Sequence, residues 1–142
     1  MPRPHIVDRP IDPSAAIREV SDASAGGIAV FIGTVRNVNE GRKVTSLTYQ
    51  VYRSMAEKSM AEIESEVRKR WPVKKIRLLH RQGRLSVGEV SVVVAVSCEH
   101  RGEAFEACRY AIDRIKEKLP LWKQEVEIGG RKKWVEGTPI EP

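Results

Sequence analysis

Cationic and hydrogen-bonding side chains stand at the ends of several elements of this chain. Arg36 closes an apolar run, His100-Arg101 precedes a long amphipathic stretch, Lys116 comes late in that stretch, and Lys123 follows Pro120. Arginine suits a phosphate, to which its fork donates two parallel hydrogen bonds. Lysine suits proton transfer, since nearby cations and partial burial loosen its hold on a proton. A helix N-terminus adds free backbone N–H groups and a dipole that favours an anion. The set points to chemistry on an anionic substrate. The plainer reading of Lys116 is a snorkelling lysine whose stem packs while its amine reaches water.

Cys98 and Cys108 raise the idea of a persulfide relay. They form neither a C-x-x-C pair nor a zinc pattern. Each falls on an apolar face, where a free thiol packs like a small hydrophobe and is inert. Both are read as core. His5, His80 and His100 lie too far apart for a local metal motif. No metal and no cofactor are expected.

The elements that must position these groups follow from capping and periodicity. Asp12-Pro13 reads as an N-cap and first helical residue, opening a helix over 13–20. Ala25-Gly26-Gly27 breaks the chain, 28–36 reads as a strand and 37–43 as a polar loop. Leu47, Tyr49 and Val51 alternate as a half-buried strand. Ser54-Met55-Ala56-Glu57 matches a capping box, followed by Ala56, Met60, Ile63, Val67 and Trp71 at helical spacing and stopped by Pro72. Strands over 76–85 and 89–98 are expected to join around Val87-Gly88, the second apolar on both faces and therefore central. A last helix spans 101–119, with Phe105, Cys108, Ile112, Ile115 and Leu119 as its core stripe. Arg101 falls on the centre of that stripe, and Lys116 about 60° off it. Two short strands then flank Gly129-Gly130 as a hairpin. Mixed elements without strict alternation predict an α+β fold with a mostly antiparallel sheet.

The chain of 142 residues fits one domain over 1–142. No apolar run approaches a membrane span, and Met1-Pro2-Arg3-Pro4-His5 lacks the apolar segment of a signal peptide, so a cytoplasmic protein is expected. A net charge of +6 suggests an anionic partner, or simply a basic surface that keeps the chain soluble. Aromatics are only 6% and no RNP-like aromatic strand occurs, which weighs against the rival reading of a basic nucleic-acid-binding α+β module.

Several stretches, in order, resemble the large, catalytic subunit of molybdopterin synthase. They are Gly33-Thr34-Val35-Arg36-Asn37, His80-Arg81-Gln82-Gly83-Arg84-Leu85 with Gly88-Glu89, and His100-Arg101-Gly102-Glu103-Ala104-Phe105-Glu106-Ala107. Lys116, Pro120-Leu121-Trp122-Lys123-Gln124-Glu125 and Trp134-Val135-Glu136 complete the set. The resemblance implies an α/β-hammerhead-type fold with an additional small antiparallel β subdomain. It implies a homodimer of large subunits within a heterotetramer, each binding a small thiocarboxylated ubiquitin-like sulfur carrier. The implied reaction moves sulfur from that carrier to cyclic pyranopterin monophosphate, forming the molybdopterin dithiolene. Neither nucleic acid nor membrane is an implied partner.

By the same resemblance, Lys116 and Lys123 match the catalytic lysines. Arg36, His100 and Arg101 match positions that bind the pterin phosphate and the carrier's tail. Thr34 and Val35 lead into Arg36, and Gln124 and Glu125 follow Lys123 along the pocket wall. Thr34 and Gln124 stand where other members can carry a basic residue. A non-catalytic subunit that only presents the sulfur carrier is the second rival, and it predicts that turnover survives loss of Lys116.

Overall fold

A computed structural model describes residues 3–136; the ends of the expected 1–142 domain lie outside the described residues. The chain order is β1 (Ile6–Val7), α1 (Pro13–Val20), β2 (Gly27–Thr34), β3 (Val38–Asn39), β4 (Arg42–Val51) and α2 (Arg53–Arg70), followed by β5 (Val73–Arg81), β6 (Gly83–Ser86), β7 (Val90–Cys98), α3 (Arg101–Lys118), β8 (Leu121–Glu127) and β9 (Lys132–Glu136). The fold is α+β, with two sheets. One has the order β1-β5-β7-β2, and only β1 and β5 run parallel. The other has the order β3-β4-β8-β9, all antiparallel, with β6 also paired to β4. No helix among the described residues is long and apolar enough to cross a membrane.

β7 is the strand expected to be central, and its alternation builds two cores. Val92, Val94, Val96 and Cys98 face α2 and α3, while Val93 and Ala95 face α1 with Leu79. A third cluster of Val35, Val44, Leu47 and Leu85 lies under the second sheet. The first helix forms as read, its Asp12 carboxylate accepting from the Ser14 N–H at 3.0 Å. The last two strands form the expected hairpin, with positive φ at Gly129 and Gly130.

Four expectations change. The segment 37–43 is a hairpin, because Glu40 and Gly41 both take positive φ and let β3 fold back on β4. The expected strand over 76–85 divides at Gln82-Gly83, where Gly83 has φ +99°; β5 stays in the first sheet and β6 crosses to the second. The capping box does not form, since α2 begins at Arg53 with Tyr52 as an unassisted N-cap. Its glutamate is used elsewhere. Glu57 accepts from the His5 and Ile6 backbone N–H groups at 2.9 Å and pairs with His5 Nδ1 at 2.8 Å, tying β1 to α2. Finally, the stripe of α3 is rotated. Ala104, Ala107, Cys108, Ala111 and Ile115 are buried, whereas Phe105 is 66% exposed. Small residues let the helix sit close on β2 and β7, and a wheel weighted by large side chains missed them.

Candidate functional site

The two sheets meet at a seam that carries the cationic groups. β2 ends at Thr34, and the chain continues through Val35 and Arg36 into the second sheet. Two backbone bonds fix that crossing: the Val35 N–H donates to Glu89 O at 3.0 Å, and the Gly88 N–H donates to Val35 O at 2.8 Å. Across the seam, β8 pairs with β4 so that Lys123 lies opposite Tyr49. α3 brings Lys116 to the same place from its last turn. Leu119 caps α3 and Pro120 follows it, so the chain reverses between the two lysines within a few residues.

A cleft of about 300 Å³ opens there. Its walls include Thr34, Val35 and Arg36 from the sheet crossing, Tyr49 from β4, Lys116 from α3, and Lys123 and Glu125 from β8. A smaller void of about 50 Å³ lies behind, sharing Tyr49, Ser91, Lys116 and Lys123 and bounded by His80. A larger hollow of about 640 Å³ shares Tyr49 but is lined by Tyr52, Gln82 and Trp122, with no lysine or arginine. Size favours that hollow; chemistry favours the cleft.

Removal of water from around its ammonium lowers the Lys116 pKa, and the charges of Lys123 and Arg36 lower it further. The residue nevertheless remains exposed to the cleft, as a proton-handling group must be. Burial raises the Tyr49 pKa and keeps its hydroxyl protonated. Burial also pushes the Cys108 thiol up to about 11 and raises Cys98, so both free cysteines stay protonated in the core. Among the described residues no group of three His, Cys, Asp or Glu side chains could hold a metal ion.

Glu125 is 1% exposed and is not a free ligand. It accepts from Arg42 Nη2 at 2.8 Å and from the Asn39 amide. This network anchors the cleft floor to the β3–β4 hairpin. Asn39 and Arg42 carry no mark of a site in the sequence, because their segment reads as a polar loop. Tyr49, Ser91 and His80 each look like an ordinary strand residue in the sequence, and only the register brings them to the site.

Three sequence-derived site residues stand apart. Alternation along β8 turns Gln124 to the face opposite Lys123 and Glu125. His100 and Arg101 are exposed at the start of α3, with His100 3.1 Å from Glu99. At about 1.5 Å per residue, Arg101 is roughly 22 Å along the helix from Lys116. One chain therefore does not bring His100 and Arg101 into the cleft.

Known proteins are similar to this chain in sequence and fold. The model of the family described as MoaE protein matches residues 6–118. The molybdopterin synthase catalytic subunit of Halalkalibacterium halodurans is 47% identical over 120 residues, spanning 84% of this chain and 77% of that protein. The crystal structure of molybdopterin synthase from Staphylococcus aureus superposes with a TM-score of 0.87 at 38% identity, covering 95% of this chain and 98% of that one. A Helicobacter pylori protein solved as a complex of subunits 1 and 2 of molybdopterin-converting factor has a TM-score of 0.74. At 18% identity over 96% of this chain and 90% of that one, it shares the fold alone.

Proposed function

The chain belongs to the MoaE family of molybdopterin synthase catalytic subunits, enzymes of molybdenum cofactor biosynthesis, and from that premise we propose how its cleft works. It receives the C-terminal thiocarboxylate of a small ubiquitin-like sulfur carrier and passes the sulfur to cyclic pyranopterin monophosphate. Two such transfers form the dithiolene, with the half-sulfurated intermediate held in place. The observation that carries this reading is the convergence of Lys116, Lys123 and Arg36 on one cleft. Both reactants are anions, and three preorganised cations neutralise the repulsion between them and any oxyanion that develops.

Arg36 is suited to the phosphate, through its fork of parallel donors. Lys116, with its lowered pKa, is suited to move a proton as sulfur replaces oxygen. Tyr49 supplies a neutral wall and a hydroxyl. Glu125, held by Arg42, keeps the β8 strand and hence Lys123 in register.

The working unit is a homodimer of large subunits, each with one carrier, in the cytoplasm. Support for a second copy comes from β2, which is a sheet edge with Ile28, Phe31 and Ile32 exposed, together with Phe105 on the neighbouring helix. For His100 and Arg101 to touch the same substrate as Lys116, they must come from the second copy.

The test is turnover of cyclic pyranopterin monophosphate. The chain alone should be inactive, and the thiocarboxylated carrier should confer activity. Conversion by the chain with inorganic sulfide at a comparable rate would rule out carrier-borne sulfur.

A further inference from the structure

His80 lies near the end of β5, opposite Val92 of β7, and is buried. A polar ring in such a place is costly unless its nitrogens are satisfied. Nδ1 lies 2.8 Å from the Arg81 carbonyl oxygen. A carbonyl only accepts, so Nδ1 carries the proton and donates it there. Burial holds the ring neutral, its pKa pushed down to about 4. Nε2 is then an unprotonated acceptor. The Tyr49 ring meets the imidazole edge to face, with centroids 5.1 Å apart, and fixes its plane.

His80 borders the small void behind the cleft, with Tyr49, Ser91, Lys116 and Lys123 as its other polar walls. At about 50 Å³, it has room for at least one water. Besides His80, the titratable groups that face this void are Lys116 from α3, Lys123 from β8 and Tyr49 from β4, with Arg36 acting on Lys116 from beyond it. The Arg81 guanidinium is taken up by Glu89 at 3.1 Å. The void thus holds two lysines and no carboxylate among its lining residues. His80 is a neutral acceptor among them.

We propose that His80 is a positioning residue for the reaction: its unprotonated Nε2 accepts a hydrogen bond from the Lys116 ammonium, directly or through one water in the void, and fixes that amine in the cleft. The proposal rests on Lys116 being the proton-handling amine. A histidine serves here because it orients the ammonium without removing its proton. A carboxylate in its place would tie up the charge that the substrate needs, and a charged imidazole would add one more cation to a crowded cleft. Accepting this bond stabilises the ammonium against the loss of water and the repulsion of Lys123 and Arg36.

Two substitutions separate this role from mere packing. His80→Asn keeps a donor near Nδ1 and removes the far acceptor. His80→Gln places an amide oxygen near the position of Nε2. Lys116 is followed by carbon NMR in lysine-labelled chain, its signal assigned by its absence in Lys116→Met. In His80→Asn its titration midpoint should fall by about one unit. Single-turnover rate with saturating carrier should drop about tenfold, as expected for losing one bond to a charged group, with pterin affinity little changed. His80→Gln should recover both. An unmoved midpoint in folded His80→Asn, or His80→Gln behaving like His80→Asn, overturns the proposal.

If His80→Asn does not fold, nitrogen NMR of histidine-labelled wild type still decides. The Nε2 resonance should move in Lys116→Met while Nδ1 stays, and an unmoved Nε2 resonance overturns the contact. Wild-type turnover in Lys116→Ala, with the midpoint still displaced in His80→Asn, would remove the catalytic reading of Lys116 and the positioning role with it, leaving only the contact.

Discussion

Loss of water, and after it the nearby charges of Lys123 and Arg36, weaken the hold of Lys116 on its proton. Lys116→Ala should therefore cut single-turnover product formation by roughly a hundred- to ten-thousand-fold, the usual worth of a general acid or base. Lys116→Arg should restore the charge but not the rate, because guanidinium stays protonated below about pH 12. Near wild-type turnover in the alanine variant would return Lys116 to the role of a snorkelling side chain. The cysteines give the complementary test. Replacing Cys98 and Cys108 together with alanine should leave turnover largely intact and cost about 1–2 kcal/mol of stability per side chain, read from denaturant unfolding. Loss of turnover in a folded double variant would indicate a persulfide route. The lysines and Arg36 were legible in the sequence because they sit at element ends, where side chains gather. His80 and Tyr49 were not, since only the pairing of β4, β5, β7 and β8 brings them to Lys116. Arg101 falls on the centre of the α3 stripe only when Phe105 is part of it, and Phe105 is exposed.

Among the elements, β1 depends most on a single side chain. It has two residues, and Glu57 of α2 accepts from the N–H of Ile6 and from that of His5 just before the strand. The His5 ring bridges Glu57 and Glu64 at 2.8 Å each. Burial lowers the His5 pKa, but the bonds to Glu64 and Glu57 outweigh it and the net shift is upward. Burial raises the Glu57 pKa, but bonds from Ile6 and His5 carry it downward overall. A raised histidine contributes its full stability below its unfolded value near pH 6.5, and loses it as pH climbs through the higher folded value. A lowered carboxylate contributes above its unfolded value near pH 4.5, and loses it as pH falls through the lower folded value. The clamp is therefore strongest at about pH 5–6. The Tm difference between wild type and His5→Asn should be largest there and shrink by about pH 9. A difference that instead grows toward alkaline pH would mean that His5 acts as a neutral packed ring. The clamp was invisible in sequence because Ser54 and Glu57 fit a local capping pattern, and a contact fifty residues away took the glutamate. Periodicity gave α2 and β7 directly, since one element's own face decides them, and the Asp12-Pro13 cap gave α1. It did not give the break at Gly83, where the partner sheet changes.

At the level of the whole molecule, the distance between Arg101 and Lys116 along α3 sets a constraint. If a site takes Lys116 from one copy and Arg101 from the other, two inactive variants can rescue each other. Lys116→Ala mixed with Arg101→Ala should form hybrid dimers with one intact site each. Random exchange should recover up to about a quarter of wild-type sites, as two-fold symmetry requires. Turnover that stays at the level of the separate variants, with exchange verified by mass spectrometry, would place each site within one chain. The sheet pairing has a consequence for how the protein is made. β4 spans ten residues; one of its edges takes β3 and β6, and the other waits for β8, where Tyr49 meets Lys123 more than seventy residues later. At ribosomal speeds of about 5–20 residues per second, that edge waits roughly 4–15 s for its partner. An unpaired strand edge is a template for association with other chains. The nascent polypeptide is thus most vulnerable to aggregation after β4 emerges and before β8 does, and elongation rate over that interval should govern its soluble yield.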